Sequence, residues 1–153
     1  MRTISNAHVL DELVQRAERL RSDAERRWGT MTPGEMLCHL GDAGDAVLGR
    51  RVPPGTAPSN RLLLPIKWLL LYSPIPFPKG VETRPGVNPR KEGTRPGDFA
   101  RDRARVVDGL RSLAVATPES VSPTHFRFGR MSLRDWHHWA YKHVDHHLRQ
   151  FGV

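Results

Sequence analysis

Thr32-Pro33-Gly34-Glu35-Met36-Leu37-Cys38-His39-Leu40 opens the most clearly signed helix in the chain. Thr32 is an N-cap residue, Pro33 occupies the first helical position, where its missing N–H costs nothing, and Glu35 completes a capping box. The pattern predicts a helix to about Leu48, with Gly49 as its stop and Met36, Leu40, Ala43 and Val47 along one side. Upstream, Leu10, Leu13, Val14, Ala17 and Leu20 recur with helical spacing, and Trp28-Gly29 supplies a turn. Downstream, residues 50–96 hold ten of the 13 prolines, and only Arg61 to Tyr72 reads as helical, limited by Pro65. A third long helix is expected from about Gly97 to Ala116, with Phe99, Arg103, Val106, Val107, Leu110, Leu113 and Ala114 as its stripe. A fourth opens on Ser132-Leu133-Arg134-Asp135, runs to Phe151 and stops at Gly152. No sustained strand alternation and no internal repeat interrupts the series. The expected architecture is therefore all-α: a single domain over 1–153, a four-helix bundle with a long irregular, proline-rich crossover (50–96) between the second and third helices.

Composition agrees with one soluble domain: 153 residues, 38% hydrophobic and 26% charged. Cys38 is the single cysteine, which excludes an internal disulfide and a cysteine-based zinc site. The longest apolar run, Leu62 to Tyr72, is too short to span a bilayer, and the N-terminus lacks a secretory apolar stretch. A cytoplasmic location without membrane insertion is the expectation. The net charge is +8, but 20 of the 24 basic residues are Arg, spread along the chain without a dense block or interleaved aromatics. A solvated basic surface explains this better than nucleic-acid binding.

Chemistry concentrates in the histidines. Five of the eight lie between residues 137 and 147, and His39 stands alone on the second helix. On a helical wheel His143 and His147 fall within about 40° of each other, on a face shared with Trp136, Trp139, Ala140 and Gln150. That face should look into the bundle, while His137 and His138 fall off it and are expected in solvent or at a groove edge. Histidines at i and i+4 can converge on one ion, and His39 can supply the third ligand of a site that keeps a position open. His146, at i+3 from His143, is the rival to His147; the i+4 pair is preferred. Glu35 and Asp42, at i−4 and i+3 from His39, can orient a histidine or act as a base, as can His146. His125, ahead of the last helix, either caps a turn or lines the site. Cys38 points away from His39 and is expected to be packed.

Trp28-Gly29-Thr30-Met31-Thr32 leading into Met36-Leu37-Cys38-His39-Leu40, with His143-Val144-Asp145-His146-His147-Leu148-Arg149-Gln150 near the end, resembles the DinB/YfiT-like superfamily. The closing His146-His147-Leu148-Arg149-Gln150-Phe151-Gly152 is similar to a largely uncharacterised branch, in which a His-Pro-x-Phe-Gly element precedes the last helix. Here His125-Phe126-Arg127-Phe128-Gly129 departs from it at Phe126. The resemblance implies an up-down-down-up four-helix bundle and a divalent metal, zinc or nickel, held by His39, His143 and His147. It also implies chemistry of the thiol-dependent transferase or isomerase kind, in which the metal activates a low-molecular-weight thiol, acting on a small-molecule substrate.

Two other functions stay open on the sequence. One is a binding protein whose histidines are structural or hold a metal without turnover. The other is a stress-related interaction module that forms a homodimer through Leu62 to Tyr72.

Overall fold

The computed structural model describes residues 1–51 and 64–153. It is mostly helical: α1 (Ala7–Arg19), α2 (Pro33–Val47), α3 (Leu64–Tyr72), α4 (Phe99–Ala114) and α5 (Leu133–Gln150). α1, α2, α4 and α5 pack on one another, and α3 leans on α5. Their common core includes Leu13 and Ala17 from α1, Met36 and Leu40 from α2, Val106 and Leu110 from α4, and Trp136 and Leu148 from α5.

The helix boundaries follow from local chemistry. Asn6 caps α1 by accepting from the Val9 N–H at 3.2 Å. Thr32 Oγ1 accepts from Glu35 N (3.2 Å) while Glu35 Oε2 accepts from Thr32 N (2.8 Å), which is the reciprocal box the sequence predicts. Ser132 and Asp135 repeat that exchange at the start of α5. Arg103, the polar member of the α4 stripe, donates to the Glu18 and Leu20 carbonyls and so closes the end of α1. Gly49 and Gly152, with φ of 67° and 80°, take the left-handed turns that follow α2 and α5.

Within the crossover, the helix read from Arg61 begins at Leu64 in the described chain; Arg61, Leu62 and Leu63 lie outside the described residues. Two buried lysines fasten this helix. Lys67 Nζ donates to Asp135 Oδ2 (2.7 Å) and to the Arg130 carbonyl (2.6 Å), and Tyr72 OH donates to Asp135 Oδ1 at 2.5 Å. Lys142 reaches the carbonyls of Leu70, Ser73 and Ile75 at the C-terminal end of α3. Its outer side leaves Ile66, Trp68 and Leu69 exposed. No helix among the described residues is long and apolar enough to cross a membrane.

The crossover ends in a compact loop. A 3-10 turn (Pro85–Val87) is folded back by Glu92 N donating to the Pro85 carbonyl and Gly93 N donating to the Asn88 carbonyl. A Cβ on Gly93 would stand 2.6–2.8 Å from the Asn88 backbone, so only glycine allows this closeness.

The chain is mostly helical as expected, with a small antiparallel hairpin, β1 (Thr124–His125) and β2 (Gly129–Arg130), whose two-residue strands are too short to leave an alternation in sequence. One expectation is corrected in part. His137 and His138 are buried and not solvated, and both line a groove with Thr3 and Ser5, which is the groove-edge alternative. They face α4 and the N-terminal segment, whose Leu113 and Arg2 carbonyls lie 3.0 Å and 3.2 Å from their ring nitrogens. The wheel separates them correctly from the other histidines, but α5 is covered on that side too.

Candidate metal centre

α2 and α5 bring His39, His143 and His147 together: one ring nitrogen from each lies within 4.8 Å of the others. His39 Nε2 is 3.1 Å from His143 Nε2. His146 is not in this group; its ring meets Trp28 edge-on at 5.9 Å and His147 at 5.1 Å.

The outer nitrogens set the protonation of two of the rings. His39 Nδ1 lies 2.8 Å from the Val87 carbonyl, an obligate acceptor, so Nδ1 carries the proton. His147 Nδ1 lies 3.0 Å from Gln150 Oε1. Gln150 donates its Nε2 to the Trp28 carbonyl at 2.8 Å, which orients the amide with its oxygen toward His147. Gly29 makes that approach possible, because a Cβ there would stand 2.5 Å from Gln150 Nε2. Both Nε2 atoms are thereby acceptors, and His39 Nε2 faces His143 Nε2. Three imidazoles so arranged fit a cation, with the outer hydrogen bonds that usually orient histidine ligands. Burial, and next the charge of neighbouring imidazoles, keeps His143 and His147 well below the ordinary histidine range. Burial likewise lowers His39. All three are neutral at pH 7, the form that coordinates a metal.

The cluster lies in the wall of a cavity of about 1520 Å³, which His146, Trp28, Phe77, Phe126 and Trp139 also line. The two carboxylates considered as bases are engaged elsewhere. Glu35 completes its cap and pairs with Arg90 at 2.7 Å, and that guanidinium holds its carboxyl down at about 2. Asp42 has no exposed surface and accepts from Thr94, Arg51 and Arg105. Cys38 is packed, with Sγ 3.6 Å from Asp102 Oδ2 and its thiol pushed up to about 12, chiefly by burial.

The family model described as the DinB superfamily matches residues 6–151. The chain belongs to the DinB superfamily. No curated protein and no solved structure matches it. In this DinB-superfamily chain the two partners that orient the histidines, Gln150 and the Val87 carbonyl, were not identified from sequence. Gln150 had a legible signal, since it follows His147 by three residues on the same helical face. Val87 had none, because its contribution is backbone.

Proposed function

We propose that this is a divalent-transition-metal protein in which His39, His143 and His147 are the ligands, within an up-down-down-up four-helix bundle. We further propose that it is an enzyme working on a small molecule bound in the adjoining cavity, through a low-molecular-weight thiol in a transferase or isomerase reaction. The observation that carries the reading is that one ring nitrogen each of His39, His143 and His147 lies within 4.8 Å of the others, while Val87 and Gln150 hold the outer nitrogens of His39 and His147. Held by these three histidines, zinc or nickel would supply Lewis acidity that makes a thiol or water nucleophilic near neutral pH. The chain's own residues do the rest. Gln150 and the Val87 carbonyl orient the ligands, aromatic side chains line the adjoining cavity, and His146 is the one of the three acid–base candidates that lines it.

Elemental analysis of protein purified without a histidine tag tests this directly. About one equivalent of transition metal is expected, lost in His39→Ala and His143→Ala with the helical circular dichroism retained. Gln150→Leu is expected to bind the same metal about 10–100-fold more weakly, the usual effect of removing such an orienting partner. Thiol-transfer activity should disappear on chelation and return with the metal. A wild-type protein that neither contains metal nor takes it up on addition would overturn the reading and favour a non-enzymatic binding role.

A further inference from the structure

His125 is not part of the three-histidine cluster, yet its protonation is fixed just as firmly. Its Nδ1 accepts from two backbone N–H groups of the hairpin turn, Arg127 at 3.1 Å and Phe128 at 3.2 Å. Nδ1 therefore carries no proton, and the ring's N–H is at Nε2. The residue is only 8% exposed and sits among Phe126, Phe128, Trp136 and Trp139, with ring centroids 4.6–5.7 Å away. Nε2 has no hydrogen-bond partner among the described residues, and none of their side-chain nitrogens is both sealed from solvent and unpaired. Since His125 lines the cavity, its N–H opens into it.

The same corner is positively charged. The Arg84 and Arg127 guanidinia lie over the Phe126 ring at 4.6 and 5.4 Å, and both arginines line the cavity. Of the acids lining it, Glu82 pairs with Lys91 at 3.6 Å, and Glu119 bonds locally to Thr117 and its own backbone. Trp139 separates this corner from the metal ligands: its ring centroid is 5.6 Å from His125 on one side and 4.5 Å from His143 on the other.

We infer that His125 Nε2–H, with Arg127, forms a carboxylate-binding subsite for a ligand whose aromatic or aliphatic body lies along Trp139 toward the three histidines. Burial, followed by the charges of Arg84, Arg127 and Lys67, pushes His125 down to about 3, so it remains a neutral donor and not a base. The subsite goes beyond the metal reading and does not need the metal.

The test compares 2-naphthylacetate with its uncharged amide, 2-naphthylacetamide, by titration calorimetry on the full chain as isolated. The acid should bind at least about tenfold more tightly, as a hydrogen bond to a charged group allows. His125→Asn keeps a side-chain acceptor for the turn N–H and removes the Nε2–H. Arg127→Gln changes an exposed side chain and leaves the turn intact. Each variant should weaken the acid about five- to tenfold while leaving the amide nearly unchanged. In nitrogen-resolved NMR of the wild type, the His125 Nε2–H proton should move downfield with the acid and not with the amide. Equal binding of acid and amide would overturn the proposal. So would variants that weaken both alike, or loss of acid binding in His143→Ala but not in His125→Asn, which would place the carboxylate on the metal.

Discussion

Asp42→Ala is expected to cost about 3 kcal/mol of stability or more, the low end for breaking a buried ion pair with partly exposed arginines. In a domain of this size that lowers Tm by roughly 6–12 °C. The carboxylate accepts from Thr94 N (2.7 Å), Thr94 Oγ1 (2.6 Å), Arg105 (2.8 Å) and Arg51 (3.2 Å). Burial alone would raise its pKa, but the hydrogen bonds from Thr94 and Arg105 overcome this and hold it ionised. After truncation Arg105 keeps Asp45 and Arg51 keeps the Glu92 carbonyl, so the arginines are not wholly orphaned. Thr94 keeps only the weak contact from Arg51 to its Oγ1 at 3.3 Å, while its N–H and hydroxyl proton both lose their acceptor. Its release removes one of the anchors of the loop that presents the Val87 carbonyl to His39, the others being Arg51 on the Glu92 carbonyl and Arg90 on Glu35, so metal retention should fall together with Tm. Scanning calorimetry and metal content of the same sample check both effects. A Tm within a degree or two of the wild type would show that Asp42 does not hold this loop.

Acidification from pH 6.5 to 5 is expected to remove about 2 kcal/mol through His125 alone. The sign follows from proton uptake. His125 titrates at about 3 in the fold and near 6.5 when unfolded, so below 6.5 the unfolded chain binds the extra proton and gains. Its contribution is whole above pH 6.5 and declines continuously toward pH 3. His39, His143 and His147 shift in the same direction and steepen the loss. The carboxylates Glu35, Asp42 and Asp135 are lowered instead, so their contribution is intact in this window and is lost at lower pH. Urea unfolding at pH 7 and pH 5 measures the difference, and His125→Asn should flatten it by about 2 kcal/mol. Equal stability of the wild type at the two values would contradict the burial of these rings.

What the sequence disclosed tracks the range of the interactions involved. Capping boxes at Thr32 and Ser132 and the apolar stripes of α1, α2 and α4 are local, and the helix boundaries derived from them stand within a few residues. The grouping of His143 and His147 also follows from spacing along one helix. Placing His39 beside them required two helices to meet, and the family resemblance supplied what periodicity alone left open. Contacts made by backbone, or between distant segments, left no mark. The Val87 carbonyl, the Thr94 clasp on Asp42, and the coverage of His137 and His138 by Leu113 and Arg2 belong to that class. His125 stood between the two readings given for it, and the structure satisfies both: Nδ1 caps the turn and the ring lines the cavity.

The hold on His39 comes from a main-chain carbonyl, a group every amino acid possesses. Substitutions at position 87 that fit the tight loop can therefore change one side of the cavity without withdrawing that acceptor. Variation in the cavity wall is decoupled there from loss of the histidine cluster. Under the proposed function, the surface that meets a substrate can change at this wall while His39 keeps its orientation.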